Sequence, residues 1–150
     1  MTPEVTRRDA LMFGAAGIGT VSFGLSAFAK ELNTDEAIEA FVGDAAVSDG
    51  KLEIDMPEIA EDGHSVPIEV FVDSAMDGDD IVEEIVVFAN GNPNPGIATF
   101  KFNALSGEAR ASTRIRLAQT QDVIALARMK DGAFYRASRA IKVTIGGCGG

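Results

Sequence analysis

Val66-Pro67-Ile68-Glu69-Val70-Phe71-Val72-Asp73 places β-branched residues at positions 66, 68, 70 and 72 and alternates them with Pro67, Glu69, Phe71 and Asp73. Successive side chains of a strand point to opposite faces, so a period of two describes a strand with one apolar face turned inward. A helix would need apolar residues three and four apart, which this stretch does not offer. Working outward, Ile81 to Ala89 is β-branched and nearly continuous, the signature of a strand covered on both faces. The loop Asn90-Gly91-Asn92-Pro93-Asn94-Pro95-Gly96 separates it from a strand over Ile97–Asn103. Thr113, Ile115 and Leu117 alternate with Ser112, Arg114 and Arg116; Val123–Met129 and Ala140–Ile145 read as further strands, with a hairpin-type turn at Lys130-Asp131-Gly132. Leu52–Met56 and Gly132–Ala137 are weaker strand segments.

One helix is expected. Asn33 or Thr34 caps it, Glu36 or Glu39 supports the first turn, Ala37, Ile38, Phe41 and Val42 share one side, and Gly43 stops it. Seven or eight short strands and almost no helix predict an all-β protein, an immunoglobulin-like antiparallel β-sandwich with a short N-terminal helix. No internal repeat and no second-domain linker interrupts it.

The ends of the chain read differently. Thr6-Arg7-Arg8-Asp9-Ala10-Leu11-Met12 precedes an uncharged stretch, Ala10–Ala29, that closes on Ala27-Phe28-Ala29, a small-x-small cleavage pattern. Four glycines, at 14, 17, 19 and 24, make it weakly hydrophobic, which suits a twin-arginine export signal over a retained anchor. The expected organisation is a signal peptide over 1–29, a β-sandwich domain over 30–145 and a flexible arm over 146–150. That arm, Gly146-Gly147-Cys148-Gly149-Gly150, holds the only cysteine. An exported chain with one cysteine makes no internal disulfide, so its thiol is free, paired to another molecule or reactive. Fully extended, the arm reaches about 17 Å.

Charge excludes one class of partner. A net charge of −10 argues against nucleic acid, whose phosphates need a basic surface. Its distribution is lopsided: Glu31–Glu84 holds eighteen acids and one base, Lys51, whereas Ile85–Gly150 holds nine bases and three acids. Either both halves supply solvated strand faces, or folding sorts them into an acidic and a basic flank that would steer partners.

Little else in the chain carries chemistry. An ordinary cysteine is ionised by only a few per cent near neutrality, since its pKa is about 8.5. The nearest base in sequence, Lys142, is six residues back, so Cys148 reads as a passenger thiol activated inside a partner's active site. His64, the sole histidine, sits in the polar loop Glu61-Asp62-Gly63-His64-Ser65; a Cys148–His64 pair is conceivable, but a free arm argues against fixed geometry. With no second histidine or spare cysteine, a zinc or copper site is not expected. Asp77, Asp79, Asp80, Glu83 and Glu84 lack EF-hand spacing and read as a solvated turn. Two segments suit an interface: the stiff Asn92-Pro93-Asn94-Pro95 loop, and Arg114 with Arg116 on one strand face.

These residues resemble the SoxY family, the carrier subunit of the periplasmic thiosulfate-oxidising system. Ser112-Thr113-Arg114-Ile115-Arg116-Leu117-Ala118-Gln119-Thr120-Gln121 with Met129, Asp131-Gly132 and Phe134 is similar to the family's interior. Lys142-Val143-Thr144-Ile145-Gly146-Gly147-Cys148-Gly149-Gly150 is similar to its terminal signature; Ser65-Val66-Pro67-Ile68, Val72-Asp73-Ser74 and the Asn92–Pro95 loop also fit. The resemblance implies a periplasmic protein that forms a heterodimer with a SoxZ-like subunit and has no cofactor of its own. It implies that thiosulfate is joined oxidatively to Cys148 by a haem-containing SoxAX-type enzyme, that a SoxB-type enzyme releases sulfate hydrolytically, and that a sulfur dehydrogenase acts on remaining sulfane sulfur. The chain itself would be non-catalytic, with no membrane association once the signal is cleaved. Two other readings stay open: an exported sandwich that dimerises through an intermolecular Cys148 disulfide, and a carrier holding sulfur as a thiocarboxylate on Gly150, as ubiquitin-like sulfur carriers do.

Overall fold

Two faces of one strand explain the architecture. The computed structural model describes residues 33–146. The expected leader over 1–29 and the arm residues Gly147, Cys148, Gly149 and Gly150 lie outside the described residues. Strand β5 (Val82–Ala89) buries Val82, Ile85, Val87 and Ala89 in the main core and Val86 and Phe88 in a second, smaller cluster on its other side. Its neighbour β8 (Gln121–Met129) does the same, with Val123, Ala125, Ala127 and Met129 inward and Ile124 and Leu126 outward. Val86, Phe88, Ile124 and Leu126 form an apolar strip on the outer face, which helix α1 (Thr34–Val42) covers with Ala37, Ile38, Phe41 and Val42. The helix begins as its sequence dictates: Asn33 caps it by accepting from Glu36 N, and Gly43 ends it with φ 64°. Phe41 meets Phe134 edge to face at 5.6 Å.

The larger sheet runs β1-β9-β8-β5-β6, with β1 spanning Val47–Asp49, β6 Gly96–Lys101 and β9 Phe134–Ile145; β3 (Ile59–Asp62) also joins β9. Facing it is a three-stranded sheet, β2-β4-β7, made of Leu52–Asp55, Val66–Val72 and Ala109–Ile115. The stretch that decides the fold, β4, buries Val66, Ile68, Val70 and Val72 and turns Pro67, Glu69 and Phe71 outward. Pro67 is tolerated in this middle strand because β2 pairs only with residues 69–72, so position 67 has one neighbour, Arg114 on β7.

Three expectations change. The segments Gly132–Ala137 and Ala140–Ile145 are one twelve-residue strand, β9, paired with β8 from Phe134 to Ile141. Its alternation is blurred because the smaller sheet leaves much of its inner face exposed. The sandwich is antiparallel except along that strand's other edge, where β1 and β3 pair parallel to β9. Thr113 is exposed, while Ile115 and Leu117 are buried.

Part of the lopsided charge is folded into cross-strand pairs. Because β4 pairs with β7 and β5 with β8, acids of the first half meet bases of the second. Glu69 pairs with Arg110, which also lies 4.4 Å over the Phe71 ring, and Glu84 with Arg128 at 3.0 Å. These are partly exposed pairs, worth little individually.

Candidate functional site

The end of β9 is fixed by its neighbours. Parallel pairing sets Ile59 opposite Lys142 and Asp62 opposite Ile145, so β3 and β9 leave the sheet at the same end. Just beyond, Gly63 joins the two sheets: its N–H donates to Ile145 O at 2.8 Å and its carbonyl accepts from Leu117 N at 2.8 Å. Lys142 N donates to Glu58 O at 2.9 Å, and Thr120 Oγ1 bonds both Val143 N and Val143 O, at 3.0 and 3.3 Å.

Gly146 lies half-buried against the segment after β7. A Cβ built there would fall inside the contact shell of the Ala118 carbonyl oxygen and 3.1 Å from its carbon. Glycine is required at this position for close backbone approach, not for an unusual φ.

The segment that receives Gly146 is itself held from the far side. Asn92 Oδ1 accepts from Ala118 N and from Gln121 Nε2, each at 2.9 Å, and Asn92 Nδ2 donates to Arg116 O at 2.8 Å. Gln121, a buried polar residue, also donates to Gln119 O at 3.0 Å and accepts from Gly91 N at 2.6 Å. Thus the Asn92–Pro95 loop, read as an interface, uses Asn92 inside the domain, whereas Pro93 and Asn94 are exposed and Pro95 O accepts from Ala89 N. Arg114 donates to Ser65 Oγ and Ser65 O, at 2.6 and 2.9 Å, and Arg116 follows the end of β7.

His64 stands at this same end. Its ring Nδ1 lies 2.6 Å from Asp62 Oδ1, which also accepts from His64 N at 2.8 Å. Those two donors, the backbone N–H first, hold the Asp62 carboxyl below the usual carboxylate range. Asp62-Gly63-His64 is an Asx-type turn, and its local signal was legible; its tie to Ile145 was not. Among the described residues no group of three or more His, Cys, Asp or Glu side chains is placed to hold a metal ion. Three of the acids at 77–84 pair with bases: Asp80 with Lys51 at 2.8 Å, and Glu83 and Glu84 with Arg128. No helix among the described residues is long and apolar enough to cross a membrane.

The fold defines a class first: a two-sheet β-sandwich with one short helix on its outer face. The family described as sulfur oxidation protein SoxY matches residues 38–148. This chain belongs to the SoxY family. It is 31% identical to the sulfur carrier protein SoxY from Chlorobium limicola f. thiosulfatophilum, whose structure superposes with a TM-score of 0.61 over 74% of this chain and 96% of that one. Two variants of superoxide reductase (neelaredoxin) from Ignicoccus hospitalis share the fold alone. They are 15% and 13% identical, with TM-scores of 0.54 and 0.56, covering 62% and 76% of this chain and 79% and 90% of theirs. No curated protein sequence matches the chain.

Proposed function

We propose that this chain is a covalent carrier of sulfur intermediates in thiosulfate oxidation, with the intermediate attached to Cys148. The observation that carries the reading is the family match, which extends to residue 148 itself and so includes the only cysteine. In the first step the Cys148 sulfur bonds to the outer sulfur of thiosulfate, the thiol proton is released, and two electrons pass to a haem-containing SoxAX-type enzyme. A SoxB-type enzyme then cleaves the terminal S–S bond with water and releases sulfate, and a sulfur dehydrogenase-type enzyme oxidises what remains. The chain acts in the periplasm, exported by the twin-arginine route and paired with a SoxZ-like subunit, and it catalyses none of these steps.

Physical chemistry favours this division of labour. Covalent attachment keeps a reactive intermediate from diffusing away and raises its local concentration at each enzyme. Glycines on both sides of the sulfur leave a thin chain that enters a narrow channel. Intact mass spectrometry after incubation with thiosulfate, a SoxZ-like subunit and a SoxAX-type enzyme tests the reading. It predicts an S-linked thiosulfate adduct on Cys148, absent from Cys148→Ser. A protein that stays unmodified, forms only a Cys148-linked dimer, or gains sulfur on Gly150 overturns it.

A further inference from the structure

We propose that the open edge between β6 and β7 receives a strand of the SoxZ-like subunit, one with apolar side chains toward the sandwich and carboxylates on its rim. This deepens the carrier reading and rests on it only in taking that subunit as the occupant.

Topology leaves this edge open. Among the described residues β6 is the last strand of the larger sheet and β7 the last of the smaller, and the two lie on the same side of the sandwich. The bond from Phe102 N to Glu83 O, at 2.9 Å, fixes which backbone groups of β6 are used. Residue pairs of an antiparallel ladder alternate between bonded and unbonded. Phe100 and Ala98 therefore turn to β5, while Thr99 and Lys101 turn their N–H and C=O away from it. Such a row is a template for one further strand. Side chains mark the same edge. Ala98, Phe100 and Phe102 of the larger sheet and Ala111 of β7 pack on the core yet are only half-buried, and Thr113 is exposed. The short 3₁₀ turn Ala104–Ser106, between β6 and β7, presents Leu105, which at 95% is the most exposed large apolar side chain among the described residues. That turn is held firm: Asn103 Oδ1 accepts from Leu105 N at 2.8 Å, and Asn103 N donates to Ser106 Oγ at 3.1 Å. An apolar side chain on a fixed turn, beside an unpaired strand edge, suits burial by a partner.

Charge selects the occupant. Residues 96–116 hold Lys101, Arg110, Arg114 and Arg116 against one acid, Glu108, in a chain of net charge −10. Arg110 is held by Glu69 and Glu108 and Arg114 by Ser65, while Lys101 and Arg116 are exposed. A second copy docking by the same edge would set these bases against themselves, because the patch of a two-fold dimer meets itself. An acidic strand edge gains from them instead, so the same charges steer the right encounter and reject self-pairing. The other side of the larger sheet is less suited to strand addition, since β1 and β3 already occupy the edge of β9.

Titration calorimetry with a purified SoxZ-like subunit, at low and high salt, tests the docking site in a Cys148→Ser background where no adduct forms. Leu105→Glu is expected to weaken binding at least about tenfold, since it puts a charge at a buried anchor. Lys101→Glu is expected to weaken it about threefold and to flatten its salt dependence. Ile59→Glu, at an exposed apolar residue of β3, is the control and is expected to bind unchanged. Circular dichroism confirms that each variant is folded. Hydrogen exchange reads the added strand itself: the Thr99 and Lys101 amides exchange freely in the chain alone and become protected in the complex. Absent binding, unchanged affinity in Leu105→Glu, loss confined to Ile59→Glu, or amides at 99 and 101 that stay unprotected overturns the proposal. Self-association of the chain alone that Leu105→Glu abolishes overturns it too, by giving the edge to a second copy. Binding at another face leaves the Cys148 adduct test of the carrier reading untouched, and a missing adduct leaves the docking result untouched.

Discussion

Replacing Gly146 by alanine probes how firmly the end of β9 is held. The new methyl would overlap the Ala118 carbonyl, and the overlap has two ways to relax. In the first, residues 117–119 retreat. They are held by Ala118 N to Asn92 Oδ1 at 2.9 Å and Leu117 N to Gly63 O at 2.8 Å, so retreat strains both bonds. Overpacking a constrained site of this kind costs typically 1–3 kcal/mol. In the second, residue 146 swings outward and gives up the bond from Gly63 N to Ile145 O. One such hydrogen bond is worth about 0.5–1.5 kcal/mol net.

The cheaper route wins. We expect Gly146→Ala to cost about 1 kcal/mol, which lowers the melting temperature by about 4 °C for a domain of this size. Thermal unfolding followed by circular dichroism reads that shift. Hydrogen exchange separates the routes: the Gly63 amide loses its protection while the Leu117 amide keeps it. A variant that melts with the wild type and still protects Gly63 would falsify the close approach. Loss of protection at both amides would show that the 117–119 segment yields first.

Two further substitutions test other parts of the same end and of the acidic turn. Asn92→Ala removes three hydrogen bonds and leaves the buried Gln121 amide and the Ala118 N–H short of partners, so about 1–3 kcal/mol is expected by urea unfolding; an unchanged midpoint would mean that the network carries no weight. Asp80 has its pKa lowered, first by the Lys51 ammonium and then by the Ala75 N–H, so its contribution is complete above the unfolded carboxylate value near 3.8 and is lost as pH falls through the lower folded value. Asp80→Asn should therefore weaken the protein above pH 4 while flattening its acid-unfolding curve below it, and parallel curves for the two proteins would reject that linkage.

What the sequence disclosed, it disclosed through local pattern. The alternation at 66–72, the capped helix from Asn33 to Gly43 and the turn at 130–132 each depend on residues a few positions apart, and each appears as expected. In that turn Gly132 adopts φ 87°, and its N–H donates to Met129 O. Strands β1 and β3 escaped because three or four residues cannot establish a period and because their partner, β9, is more than 70 positions away. The hydrogen bonds of Asn92 to residues 116, 118 and 121 were hidden for the same reason: polar loop residues look alike until the fold closes them on one another. Charge misled in the opposite direction. Part of the asymmetry along the chain is paired off across strands, because β4 of the first half lies beside β7 of the second and β5 beside β8.

Reach then limits how a carrier of this kind meets its enzymes. Cys148 follows Gly146 by two residues in sequence, a contour length of at most about 7 Å, short beside the roughly 10 Å thickness of a β-sandwich. Any enzyme that acts on Cys148 must come to the end of the sandwich where β3 and β9 stop, close to Gly63, Ala118 and the loop that Asn92 ties to them. On the proposed carrier reading, enzymes acting in turn share one rim, and a substitution there that leaves the fold intact should weaken every step together. A substitution on the helix-covered face should spare them all. That contrast follows from the anchoring of Gly146: a terminus released several residues earlier would reach farther and impose no common rim.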